Sequence, residues 1–476
     1  MARNTALRAS AEVLGKIATL ALTIVMGREL GTVAVGEFGF ALAVSQLYWP
    51  IAGFGLDRLM LRAIAVDHTA TAKFVPQLNA FKLTVGLLCT VVGTAAVAYL
   101  GKGSTVVWVT LLLSLTLVAT LIGATAQSVF MAHERTQDFF VAALPVKVVS
   151  SFLGIAVLLA GGGLIAVGVT SLIAAVAGIV IGFVLLGRKY DQPPAGLAGT
   201  PRTWWPLARA AGPWGLQEVF GQITFRVGII VLYVSAGATA TGDYRYAYQL
   251  LEATLFLAWS IGTSILPLVA RTQRGVSKDG EPPLESVTSG AIELVVVLML
   301  PIAVMLSLCA HPLLTLLFDQ DGVRAATFLP FLAIASVVYG IGHIAGIVAL
   351  THLPGRKTVE TMAIAAGFSL IAVLILVPAH AARGTAIAAL CTETVLAGLS
   401  LRLAIQAAGP SIIKGIVSIG LIAGAAMVAV VLPLRDNLWL SAIAGGLTYA
   451  VVLLALEYRR RGPAWDLFRS IAPGSR

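Results

Sequence analysis

Apolar runs of about 20 residues recur along the whole chain, each long enough to cross a bilayer's roughly 30 Å hydrocarbon layer as a helix. Short polar stretches separate them. The pattern predicts fourteen spans: 9–30, 37–60, 78–100, 105–130, 138–160, 163–187, 208–236, 243–270, 287–311, 325–351, 358–378, 382–405, 411–433 and 437–457. A polar linker from Gly187 to Arg202 divides the first six from the rest and leads to Trp204-Trp205. Amphipathic rings of that kind suit the membrane interface. The expected fold is an all-α polytopic membrane protein.

The spans fall into two related sets. Residues 12–41, shifted by 206 positions, lie without a gap on residues 218–247. Glu12/Glu218, Gly15/Gly221, Gly31/Gly237 and Gly36/Gly242 are identical pairs, and Glu37/Asp243, Phe38/Tyr244 and Phe40/Tyr246 are conservative ones. A shared apolar composition explains matching aliphatics more readily than matching glutamates and glycines in register. A weaker echo at an offset of 221 brings Arg135 to Arg356 and Gly163 to Gly384. Internal repeats of this kind organise a fold. Six spans separate the equivalent segments, so both halves have one orientation. A parallel repeat implies a pseudo-two-fold axis along the membrane normal and a central cavity. The expected organisation is an N-terminal six-helix half (1–190), a cytoplasmic linker (191–207), a C-terminal six-helix half (208–406), two extra helices (407–460) and a basic tail (461–476).

Composition supports the membrane reading. The 476 residues are 58% hydrophobic and 11% charged, against about 25% charged in a soluble domain. The net charge of +10 is explained by topology. The loops of one side hold Arg28, Lys102, Arg324, Arg383 and Arg435, and most of the 32 basic residues fall on the other side. The positive-inside rule then puts both termini in the cytoplasm, and a nucleic-acid partner is not expected. Cys89, Cys309 and Cys391 fall in apolar spans without paired spacing and read as small buried hydrophobes. Glu12 and Lys16 interrupt the first apolar run, which therefore reads as a span and not as a removable signal.

No catalytic constellation, metal site or cofactor motif is visible, and an enzyme is not expected. Gly340-Ile-Gly342-His-Ile-Ala-Gly346 has the look of a dinucleotide loop but lies inside an apolar span with no strand before it. Close helix packing is the better reading. Prolines occur inside the expected spans at Pro50, Pro145, Pro213, Pro267, Pro301 and Pro330. Each removes a backbone donor and bends its helix, as a hinge or as a fixed bend. Pro50 and Pro267, in the second span of each half, are the hinge candidates.

Charge inside the spans carries the chemistry. Ionisable groups at membrane depth are costly and normally face protein or a water-filled cavity. Lys16, Lys82, Lys147, Arg226 and Arg245 form a candidate cationic cavity for an anionic head group. Lys16, Lys82 and Arg245, nearer span ends, also suit snorkelling or internal pairing. Glu12, Glu218, Glu252 and Glu293 are the candidate coupling carboxylates, with packing partners as the plain alternative. Glu393 is a further intramembrane charge. Glu37 and Asp243 open the second span of each half, where a helix dipole favours an acidic residue.

Gly27-Arg-Glu-Leu-Gly31, Gly36-Glu-Phe-Gly-Phe-Ala41 and Gly53-Phe-Gly-Leu-Asp-Arg58 resemble the bacterial polysaccharide (Wzx-type) flippases. These belong to the multidrug/oligosaccharidyl-lipid/polysaccharide exporter superfamily. Gly242-Asp-Tyr244-Arg-Tyr246-Ala247 and Ile265-Leu-Pro267 extend the resemblance into the second half. It implies a bacterial cytoplasmic membrane and transfer of an undecaprenyl-pyrophosphate-linked oligosaccharide to the outer leaflet for cell-surface polysaccharide assembly. It also implies alternating access, an H+ or Na+ coupling ion and a polysaccharide polymerase partner. The alternatives within the superfamily are a lipid II-type flippase and a cation-coupled multidrug exporter.

Overall fold

A computed structural model describes residues 2–189, 197–273, 283–416 and 419–460; of these, the side chains of 2–13, 136, 144, 145, 147, 189, 273, 321, 415, 459 and 460 are outside the description. The parts of the expected linker and tail at 191–196 and 461–476 therefore lie outside the described residues. The described elements are α1 (Ala2–Gly53), α2 (Leu56–Val66), α3 (Thr71–Tyr99), α4 (Ser104–Ala132), α5 (Thr136–Leu144), α6 (Ser150–Leu159) and α7 (Leu164–Lys189), followed by α8 (Pro201–Gln273), α9 (Leu284–Leu308), α10 (Ala310–Phe318), α11 (Leu329–His352), α12 (Gly355–Ala408), α13 (Ile419–Leu434) and α14 (Leu438–Arg460). A wider π turn, Pro145–Val149, joins α5 to α6. Among the described residues, ten helices are long and apolar enough to cross a membrane.

Three of the helices each carry one non-helical residue: Gly31 in α1, Gly237 in α8 and Ala381 in α12. Gly31 (φ 79°, ψ 174°) and Gly237 (φ 84°, ψ −177°) occupy equivalent places in the repeated segment and share one backbone conformation. Positive φ is open to glycine without a Cβ penalty. The loops expected at 31–36 and 237–242 are thus single-residue breaks, and helix resumes at once. Glu37 and Asp243 consequently lie beyond the first turn of their segments, which corrects the dipole reading.

The chain divides into two compact units, Met1–Arg245 and Tyr246–Arg476. The boundary falls within α8, beyond the 191–207 linker, so the first segment of α8 belongs with the N-terminal helices. A close crossing explains that membership. A Cβ on Gly36 would overlap the carbonyl of Ala238, and one on Gly242 would overlap the carbonyl of Thr32. Small residues let helix backbones approach this closely. Phe40 stacks on Tyr233 beside the crossing, centroids 4.1 Å apart. The first unit's core gathers Leu56, Met60 and Ile64 of α2 against Val75, Leu78 and Phe130.

In the second unit, Ile261 and Ile265 of α8 pack with Val295 and Met299 of α9 and Ile344 and Val348 of α11. Gly340 sits against Val295 and Met299, and Gly342 against Ala397. The glycine-rich run at 340–346 is therefore a helix-packing surface. α13 and α14 join this unit, with Tyr449 donating to the Val297 carbonyl at 2.8 Å.

One proline reading changes. Pro330 lies in the first turn of α11, where a missing N–H costs nothing. Pro50 is followed by a break at Phe54 and Gly55, both at positive φ, whereas the non-helical residue of α8 is Gly237, 30 residues before Pro267.

Candidate functional site

The first unit gathers charge where α2, α3, α4 and the first segment of α8 meet. Lys82 of α3 is fully buried. Its ammonium donates to Asp57 at 2.6 Å, to the Leu121 carbonyl at 2.9 Å and to the Thr125 hydroxyl at 2.8 Å. An ammonium has three donors, and protein takes all three. Lys82 therefore tethers α2 to α3 and α4 with all three donors, which fits the internal-pairing alternative.

Arg58, the neighbour of Asp57 in α2, is 49% exposed and pairs with Glu218 of α8 at 3.2 Å. One helical turn on, the Arg62 guanidinium lies 4.7 Å over the Trp214 ring. These contacts need α2 to lie against α8. Gly55 permits that, because a Cβ there would meet Trp214 and Gly215, and Gly215 in turn faces the Phe54 ring. The arrangement leaves Arg58 and Arg62 as exposed cations on one helix.

The other expected site residues scatter. Arg245 is buried, its stem 3.5 Å from where a Gly39 Cβ would stand. Arg226 and Lys16 are half-buried. Lys147 falls in the π turn, and its side chain, like that of Glu12, is outside the description. Glu218 is engaged with Arg58. Glu252 is half-buried, and Glu293 is buried on α9. The Asp57–Lys82 pair escaped sequence reading because its members lie 25 positions apart; the usable signal was two opposite charges beside apolar spans that a short connection joins. A cavity of about 660 Å³ lies elsewhere, lined by Thr105, Val157, Gly163, Leu164, Ile165, Ala166, Val169 and Thr170, and it holds no charged group. Among the described residues no cluster of three or more metal-ligating side chains occurs.

Two histidines meet at the basic end of the same unit. The His68 and His133 rings stack with centroids 4.2 Å apart. Burial, then the neighbouring His68 and Arg135, push His133 below its ordinary value. Nearby, the Thr69 hydroxyl (2.7 Å) and N–H (2.9 Å) both donate to Asp67 and hold its carboxyl below the usual range. For His133 the folded state favours the neutral ring, so the unfolded chain takes up the proton first as pH falls. Stability is therefore expected to decline once pH drops below about 6.5, the ordinary histidine value. His133→Gln should flatten that slope in melting curves of the solubilised protein. Asp67 acts only nearer pH ~4, the carboxylate range, and does not mask the effect.

Membrane-length helices with ionisable groups held among them define a polytopic α-helical membrane protein. Solved structures share that fold. The lipid II flippase MurJ in an inward closed conformation superposes with a TM-score of 0.72 at 13% identity, covering 94% of this chain and 98% of that one. An inward-facing multidrug resistance MATE family transporter of the MOP superfamily gives 0.63 at 14% identity, with 82% and 94% covered. A mutant of the Vibrio cholerae MATE transporter VcmN gives 0.57 at 17% identity, with 85% and 96% covered. No curated protein sequence matches. The chain belongs to the polysaccharide biosynthesis protein family, whose model matches residues 1–273.

Proposed function

We propose that the protein is a flippase that moves an undecaprenyl-pyrophosphate-linked oligosaccharide across the bacterial cytoplasmic membrane by alternating access. In this reading both termini are cytoplasmic and the product feeds surface polysaccharide assembly, handed to a polymerase. The observation that carries it is basic charge held at membrane depth in a chain of this family, with Arg245 only 4% exposed. Cations at membrane depth face protein or a water-filled cavity, and in this reading a pyrophosphate joins whatever protein groups already meet them. Arg226 and Arg245, with Lys16 and Lys147, are the proposed head-group residues. Pro50, with the break that follows it, is the better hinge. Glu252 and Glu293 are kept as coupling carboxylates for H+ or Na+.

The overall likeness to a lipid II flippase favours a lipid-linked substrate over a soluble drug. A deletion strain tests this directly. Undecaprenyl-linked glycan should build up on the cytoplasmic leaflet while a surface polysaccharide is lost, and the retained sugars name the substrate. Arg226→Ala should reproduce the defect at normal protein levels. An unchanged lipid pool together with altered sensitivity to cationic dyes would point to a drug exporter instead, and retained lipid II would point to the cell-wall precursor.

A further inference from the structure

The second unit holds a titratable group that the site above does not use. Glu393 lies in the second segment of α12, past the break at Ala381, and is 8% exposed. Among the described residues it has no hydrogen bond and no ion pair. One position earlier, the buried Thr392 hydroxyl also lacks a partner. A buried carboxyl and a buried hydroxyl, adjacent in one membrane-spanning helix and both without a partner, are costly. Such a pair calls for an occupant.

The surroundings say which one. Gly342 of α11 packs against the backbone of Ala397, so the two helices approach closely there. One turn earlier on each, Tyr339 stands as an electrostatic neighbour of Glu393 and also of Tyr248. Trp259 Nε1 donates to the Tyr339 hydroxyl at 2.5 Å and fixes it. The His343 ring lies parallel to that of Tyr339, centroids 5.6 Å apart, and closes the group. Other titratable groups on the elements around α12 include Glu252 and Arg271 on α8, Glu285 and Glu293 on α9, His352 on α11 and Lys414 in the turn after α12. None of the described cations pairs with Glu393. A metal cation would want several oxygen ligands, and the aromatic and imidazole wall supplies few. A proton needs none.

We infer that Glu393 is a proton-binding site of the second unit, positioned by Tyr339 and the Trp259 that holds it. When the group is enclosed, the carboxyl carries its proton and is neutral. When water reaches it, the proton leaves. The inference rests on the transport reading for its purpose, since it names the coupling ion as H+, but its test needs no transported substrate.

The test is infrared difference spectroscopy of the full-length protein in liposomes as pH is changed. A protonated-carboxyl carbonyl band should titrate in the wild type, vanish in Glu393→Gln and persist in Glu360→Gln, which removes an exposed carboxylate of the same helix. Tyr339→Phe should keep the band and move its midpoint, which a merely structural tyrosine would not do. If Glu393→Gln does not accumulate, Glu393→Asp must keep a band with a shifted midpoint. An unchanged band in Glu393→Gln, or a band abolished by sodium at constant pH, overturns the inference. A band that behaves as expected beside a cytoplasmic glycan pool unaffected by gene deletion keeps the proton site and rejects the flippase.

Discussion

Replacing Gly242 by valine is expected to leave little folded protein in the membrane, and Gly36→Val to do the same. At both positions the obstacle is backbone: the Ala238 carbonyl facing Gly36 and the Thr32 carbonyl facing Gly242. A side chain can change rotamer to make room, whereas a helix backbone must shift as a whole. Overpacking a core costs about 1–3 kcal/mol when side chains can yield, and here none is available to do so. The penalty should approach the whole of a typical stability of about 5–15 kcal/mol. Gly221 is the control, since a Cβ there meets nothing within 4 Å. Gly221→Ala should be neutral or stabilising by about 0.5–1 kcal/mol, the usual helix-interior difference. Size-exclusion profiles and melting temperatures of the three variants check this. Equal accumulation of Gly242→Val and Gly221→Ala would mean that α1 and α8 do not cross at these glycines.

The same glycines show how much the sequence disclosed and why. Gly31, Gly36, Gly237 and Gly242 stood out in the repeat because each occupies a position that a side chain cannot enter, by conformation or by contact. Steric needs of that kind leave a one-residue signature, readable without the fold. The hydrophobic runs were legible for a similar reason, since a bilayer imposes a fixed length. Partners were not legible. Asp57 finds Lys82 and Arg58 finds Glu218 only because separate helices come together, and spacing along the chain carries no trace of that. Lys82 therefore looked the same on paper as Arg226, although protein consumes all its donors. Glu393 looked like one more scattered charge until burial and the lack of a partner set it apart.

Asp57→Asn is expected to destabilise the protein more than Lys82→Met does, although the two residues form one pair. The asymmetry follows from exposure. Lys82 is 0% exposed and Asp57 28%. Removing the lysine leaves a carboxylate that water can still reach. Removing the carboxylate's charge leaves an ammonium sealed among the Leu121 carbonyl and the Thr125 hydroxyl, with no countercharge in reach of a hydrogen bond. Stranding one partner of a buried pair costs about 3–5 kcal/mol, and replacing both by neutral groups is often close to neutral. The double variant Lys82→Met/Asp57→Asn should therefore be more stable than Asp57→Asn alone, so that a second loss repairs the first. Ordinary destabilisation adds, and additive losses would show that the pair does not act as a unit. Melting temperatures of the four proteins in one detergent decide between the two outcomes. Transport should track stability across the set, because all three Lys82 donors go to protein groups.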